Sequence, residues 1–223
     1  GTFSSGQLKI LTDGASGSGI RLVGKSGNSG AEIDFYNNAD NSLQGYIEFS
    51  DAGSRFWNLT NTDIHFRTNN TERLRILASG GLTFHGDTAS ANALNDYEEG
   101  TWTPQIKGTT GAGTASYSNQ VGKYLKIGNW VYLTWVLGWS SGSAGGEMRT
   151  TGFPFTPATD CTGMGSVMFN NVSIHSNVSN IATYIGPGND YCYFYTSRSS
   201  SGWITVNYSS SGNLIANVSF RTA

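Results

Sequence analysis

The sequence predicts an all-β chain in two unequal parts, a short-stranded stem followed by an antiparallel β-sandwich (jelly-roll-like) head. Three observations carry that prediction. Between residues 20 and 86 short segments recur, IRLVG, AEIDFYN, GYIEFS, RFWNLT, DIHFRT, RLRIL and GLTFHG, separated by clusters such as NNADNS, TNNT and ASGG. Beyond residue 104 the chain becomes rich in Trp and Tyr, with strand-length apolar runs punctuated by Gly and Ser. Almost no helical periodicity is present anywhere.

Residues 1–19, GTFSSGQLKILTDGASGSG, read as a flexible tether with one possible strand at Leu8 to Leu11. In the stem, 20–86, apolar residues alternate with polar ones, as in Ile33 and Phe35, Ile64 and Phe66, Leu74 and Ile76, and Leu82 and Phe84. Each strand therefore offers only two or three apolar side chains on one face. A sheet that thin does not offset the roughly 1 to 2 kcal/mol per residue of ordering entropy, so it needs partners along its length. Several copies wound about a common axis supply them; a single-chain β-meander is the alternative. Residues 87–103 form a linker, with DTASANALN as loop or short helix.

The head spans 104–223. Its clearest core strand is Trp130 to Trp139, with Val131, Leu133, Leu137, Trp135 and Trp139 on one face and Trp130, Tyr132, Thr134 and Val136 on the other. A strand apolar on both faces is covered on both, by the core and by a second sheet, a neighbouring subunit or a ligand platform. Further strands are expected at Val167 to Ile174, Ile181 to Ile185, Tyr191 to Thr196, Trp203 to Tyr208 and Leu214 to Phe220. The turns Gly186-Pro187-Gly188-Asn189-Asp190, Ser199 to Gly202 and Ser209 to Gly212 connect them.

Composition narrows the partners. Only 13% of residues are charged, against about 25% in an average soluble protein, and Gly contributes 30 residues. The net charge of -2 leaves no electrostatic footprint for nucleic acid or for an anionic membrane surface. From residue 104 onward six basic residues face three acidic ones, while the first part is acidic, which fits a two-part division. Two cysteines, Cys161 and Cys192, are too few for a disulfide scaffold and read as reduced, partly buried thiols, with a disulfide as the lesser alternative. No apolar run of about 20 residues and no signal peptide is present, so membrane insertion is not expected. Gly1 as first residue suggests a fragment or processed form.

The segment Asp96-Tyr97-Glu98-Glu99-Gly100-Thr101-Trp102-Thr103-Pro104, then Tyr117, Gly122, Tyr124, Lys126-Ile127-Gly128-Asn129 and Gly152-Phe153-Pro154-Phe155, resembles the distal domains of bacteriophage tail-fibre and receptor-binding proteins. Thr71 to Ile76 followed by Ser79-Gly80-Gly81 is similar to sequences at the end of fibre stems. The resemblance covers roughly residues 72 to 160. It implies a homotrimer that is part of the virion as a tail fibre or other surface appendage, made in the host cytoplasm. The implied partners are other virion proteins and a bacterial surface polysaccharide or outer-membrane receptor.

Chemistry-bearing constellations are sparse. His65, His85 and His175 lie far apart without metal-ligand spacing, and the Asn37 to Asn41 stretch lacks the order of a calcium loop, so no metal and no cofactor is expected. A glycosidase needs two carboxylates about 5 to 10 Å apart across one sugar. Glu98 and Glu99 are adjacent and point to opposite faces of an extended chain, and beyond them only Glu147, Asp160 and Asp190 remain. No catalytic residue is therefore assigned. Aromatic rings are the better candidates, because they stack on the apolar faces of sugars while small polar side chains read hydroxyls. Tyr191, Tyr193 and Tyr195 share one strand face beside the Pro187 to Asp190 turn, and with Trp203 and Asn189 they are the expected ligand-binding residues. The expected function is host-cell attachment through a surface glycan or receptor. A structural fibre without a receptor site and a glycan depolymerase are the alternatives.

Overall fold

The computed structural model describes residues 30–37, 42–111 and 113–222. The expected tether, the IRLVG strand and most of the NNADNS turn lie outside the described residues. The chain divides into two compact units, Gly1–Ser90 and Ala91–Ala223, and both are built from antiparallel β-sheet.

The first unit holds two three-stranded sheets, β1 (Gly30–Tyr36), β2 (Leu43–Ser50) and β3 (Gly53–Asn58), then β4 (Ile64–Thr68), β5 (Thr71–Ile76) and β6 (Leu82–Phe84). The expected alternation sets the register. Ile33, Ile47 and Phe56 pair across the first sheet in one row. The second carries Ile64, Ile76 and Leu82 in one row and Phe66, Leu74 and Phe84 in the next. Asn69 and Asn70, both at positive φ (48° and 56°), close the β4–β5 hairpin in the paired left-handed conformation that matches strand twist. The reverse faces carry ion pairs and, on the first sheet, the aromatic pair Tyr46 and Trp57 at 5.2 Å. Arg55 donates to Glu48 at 2.5 Å, and Arg75 bridges Glu72 and Asp63 while His65 meets Glu72 at 2.8 Å. Burial is almost absent: among the described residues of this unit only Gly45, Leu77 and Thr83 are buried.

In the second unit ten strands form one sheet. They are β7 (Tyr97–Trp102), β8 (Gln105–Thr110), β9 (Ser116–Ile127), β10 (Trp130–Ser140), β11 (Gly145–Thr151), β12 (Gly163–Asn170), β13 (Asn180–Ile185), β14 (Tyr191–Ser197), β15 (Ile204–Thr205) and β16 (Gly212–Arg221). Their order is β7-β9-β10-β16-β12-β13-β14-β11-β8, with β15 paired to β14. The all-β, antiparallel class is as expected, and the two layers are halves of one sheet that curls over on itself. Between them lie Val131, Leu133, Trp135, Leu137 and Trp139 of β10, Leu214, Ala216, Val218 and Phe220 of β16, and Ile106, Met148, Ile185, Cys192 and Phe194 from the other half. These side chains occupy every second position of their strands, as a half-buried sheet requires. Cys192 is buried and Cys161 half-buried, and both thiols are free.

Several boundaries differ from the sequence reading. The expected linker holds a 3-10 turn at Ser90–Asn92, but β7 lies inside it and pairs with β9, because Trp102 at its end has a buried place to go. β12 starts four residues early and stops at Asn170, since Asn171 turns out of the strand at positive φ (58°). The Trp203 to Tyr208 strand shrinks to Ile204–Thr205 plus an isolated bridge between Asn207 and Glu147. β9 and β11 are polar enough that alternation alone did not mark them.

The residues that carry the tail-fibre resemblance form a clasp along β7 and β9. Gly100 pairs with Tyr124, and Trp102 pairs with Gly122. Each aromatic lies over the opposing glycine: a Cβ at Gly122 would sit 2.6 Å from the Trp102 ring, and one at Gly100 2.7 Å from the Tyr124 hydroxyl. Trp102 packs edge-on against Trp135 (5.7 Å) and Phe153 (5.0 Å), and Tyr124 against Phe155 (5.1 Å). The Tyr117 hydroxyl accepts a hydrogen bond from the Ile106 amide at 3.0 Å, and Gln120 donates to the Pro104 carbonyl at 2.9 Å. The Gly128 amide donates to the Asp96 carbonyl and the Thr222 amide to the Asn129 carbonyl, so residues 96 and 222 lie beside one turn.

Candidate functional site

The head exposes two sheet faces of different chemistry. Outside β9, β10, β16 and β12 lies an apolar groove lined by Val121, Tyr132, Val136, Met168 and Ile215. Met168 is 72% exposed and Ile215 57% exposed, a cost no polar group offsets. Trp130 and Tyr132 lie on the second face of β10, which the sequence reading expected to be covered, yet within this chain they stand 56% and 45% exposed.

The opposite face, outside β8, β11, β14 and β13, is aromatic and polar. Along β14 the residues Cys192, Phe194 and Thr196 are buried, so Tyr191, Tyr193 and Tyr195 all project outward, half-buried. Their rings run as a chain: Tyr191 to Tyr193 at 5.2 Å, Tyr193 to Tyr195 at 6.2 Å, and Tyr195 to Trp203 at 6.4 Å. Trp203, 74% exposed, stands at one end. Tyr184 of β13 meets Tyr195 edge-on at 5.4 Å. Asn189 lies in the turn before β14, where its amide donates to the Gly186 carbonyl. The structure thus brings the three tyrosines and Trp203 together, with Asn189 at the Tyr191 end of the row.

Other residues complete this face without having been singled out from the sequence. Met148 and Thr150 are buried, so alternation along β11 turns Glu147 and Arg149 outward. Arg149 pairs with Tyr193 on one side and Lys107 on the other, and Tyr193 pairs with Tyr184, giving one cross-strand row Lys107, Arg149, Tyr193, Tyr184. The Arg149 guanidinium sits over the Tyr191 ring at 4.7 Å. Glu147 accepts a hydrogen bond from Thr205 at 2.7 Å. Burial, and then the neighbouring phenol and Glu147 carboxylate, raise the Tyr193 hydroxyl above its ordinary range, and burial together with Glu147 does the same at Tyr195. Both phenols therefore stay protonated and can donate as well as accept. The signal that would have found Arg149 was the buried Met148 and Thr150 on either side of it.

The other candidate groups are dispersed. His65 belongs to the ion-pair cluster of the first unit, and among the described residues no three His, Cys, Asp or Glu side chains converge as a metal site. Glu98 lies 3.9 Å from Lys126, and Asp160 pairs with Arg221. Cys192 is buried, which pushes its thiol far above the usual range and leaves it unreactive. No described helix is long and apolar enough to cross a membrane.

No protein-family model matches the chain, and no curated protein does. Among solved structures it is similar to the crystal structure of the Dettilon tailspike protein, at 17% identity and a TM-score of 0.46, over 57% of this chain and 24% of that one. The chain thus spans about a quarter of the length of that tailspike.

Proposed function

We propose that this chain is the distal part of a phage tail fibre, a homotrimer that attaches the virion to its host by holding a surface glycan against the outer face of β8, β11, β14 and β13. The observation that carries the reading is the unbroken ring chain of Tyr191, Tyr193, Tyr195 and Trp203 on one face, bordered by Thr205 and Asn189. Rings on a flat sheet offer stacking surface to several sugar units in succession, and protonated phenols read their hydroxyls without charge. The resemblance of residues 72 to 160 to fibre domains supports the virion setting, and the apolar rows of the first unit, with the groove over β10 and β16, support self-association. Three such sites on one rigid assembly gain avidity without stronger contacts.

The purified chain should compete with phage for host cells. Tyr195→Ala or Trp203→Ala should weaken cell binding by roughly 1 to 3 kcal/mol if they act as hot spots. Variants that keep wild-type thermal unfolding and still bind cells fully would leave a structural fibre as the better reading. A glycan-cleaving spike has one observation in its favour, since Glu147 and Asp190 both border this face. We expect binding without cleavage: incubation with host polysaccharide should release no oligosaccharide, and release that Glu147→Gln abolishes would replace the attachment reading.

A further inference from the structure

The aromatic face has a polar edge at the end where Trp203 stands. There β15 runs beside β14 with Thr205 opposite Tyr195, and the chain then bridges to β11, with Asn207 opposite Glu147. Val206 between Thr205 and Asn207 is buried, as are Met148 beside Glu147 and Phe194 beside Tyr195, so Thr205, Asn207, Glu147 and Tyr195 all project on the outer side. The Tyr208 amide donates to the Gly146 carbonyl and the Met148 amide to the Val206 carbonyl, both at 2.8 Å. Those bonds make Glu147 and Asn207 the closely spaced kind of antiparallel pair, whose side chains lie together. The Glu147 amide donates to the Thr109 hydroxyl at 2.9 Å, and the Thr205 hydroxyl donates to Glu147 Oε1 at 2.7 Å. Backbone and carboxylate are thus held from two sides, while Arg149, two positions along the strand, lies over the Tyr191 ring at 4.7 Å. Thr205 takes one of the about four acceptor positions of a carboxylate, and the exposed Asn207 amide adds donors beside it. After burial, the Glu147 charge is the next cause that raises the Tyr195 hydroxyl, so carboxylate and ring act on one spot. A sugar lying on Tyr195 and Trp203 turns its hydroxyls edgewise, and a carboxylate at that edge accepts from two neighbouring hydroxyls through charge-assisted bonds stronger than neutral ones.

We propose that Glu147, anchored by Thr205 and flanked by the Asn207 amide, is the specificity-determining residue of this face, accepting hydrogen bonds from two adjacent hydroxyls of the sugar that stacks on Tyr195 and Trp203. The inference rests on the proposed glycan-binding face and narrows its ligand to a neutral sugar unit with a free vicinal diol. A unit that is deoxygenated, acylated or linked at either position lacks a donor the carboxylate needs, and an acidic substituent there meets a like charge.

The test measures binding of the whole chain to host cells, untreated and after mild periodate oxidation followed by borohydride reduction, a treatment that breaks the carbon–carbon bond between adjacent free hydroxyls. Oxidation should lower wild-type affinity about 10- to 100-fold. Glu147→Gln, which keeps the shape and loses the charge, should lose a similar factor on untreated cells. Oxidation should then cost that variant little more, because both changes remove the same bonds. Should it fail to fold, Thr205→Val, which frees the carboxylate from its anchor, should show the same non-additive loss at a smaller factor of about 3 to 10. Wild-type binding that survives oxidation, or losses that multiply, would overturn the diol site. Tyr195→Ala and Trp203→Ala separate it from the reading beneath. If either loses binding while folded Glu147→Gln does not, the glycan face stands without the diol site; if neither does, or wild type ignores the cells, both readings fail.

Discussion

The two units use the same antiparallel strand in opposite ways. In the head, the inward positions of β10 and β16 are nearly all buried, with Leu133, Leu137, Val218 and Phe220 wholly inaccessible. In the first unit the equivalent positions stand open: Phe49 is 66% exposed, Phe56 62% and Phe84 52%. Alternation is equally clean in both. What differs is the second layer, which the ten-stranded sheet supplies by curling over itself and which a three-stranded sheet is too narrow to supply. The lesson is that a strand pattern fixes which side is apolar, while the number of strands decides whether one chain can cover it. Below that number, one chain leaves its apolar side open.

The sharpest way to break this comparison is to place a charge on the open rows. Ile64→Asp or Phe66→Asp should abolish assembly outright, because each chain of a trimer contributes one uncompensated carboxylate to the covered side. Light scattering at micromolar concentration should show trimers for wild type and lower species for the variants, while near-ultraviolet circular dichroism of the head tryptophans is retained. A folded wild-type monomer would refute the argument.

A smaller effect of a different kind is expected in the head. Trp135→Ala should cost about 3 to 5 kcal/mol, the usual range for emptying a buried aromatic site. The loss should appear as a lower thermal midpoint for the head in a variant that still assembles, as light scattering would show.

The smallest expected effect is on pH. The Arg75 guanidinium, and after it His65, hold the Glu72 carboxyl down at about 2, against 4.5 unperturbed. A depressed carboxylate stabilises the fold above the unfolded value and loses that contribution as pH falls through the folded one. Amide protection in β4 and β5, taken relative to the intrinsic exchange rate at each pH, should therefore fall between about pH 4.5 and 2, and Glu72→Gln should flatten the profile.

Much of this was legible from residues alone. The stem strands from β1 to β6 and the faces of β10, β14 and β16 follow from period-two alternation, and Tyr191, Tyr193 and Tyr195 fall on one face because Cys192 and Phe194 alternate with them. The polar strands escaped. β11 presents only Met148 as a large inward side chain and places Thr150 inside, so its apolar signal is one residue deep. Arg149 and Lys107 are 42 positions apart in sequence and meet only through register, which no local pattern encodes. The resemblance-bearing residues were visible as a signature, but their role was not. Gly100 and Gly122 matter as empty space for a ring on the neighbouring strand, and a glycine's neighbour across a sheet cannot be read from its own segment.

That Asp96 and Thr222 are both tied to the Gly128-Asn129 turn has a consequence for how this unit is handled. Segments that meet at a single point can be cut or grafted there without rerouting any strand. The Gly128-Asn129 turn thus pins residues 96 and 222 at one place within the second unit.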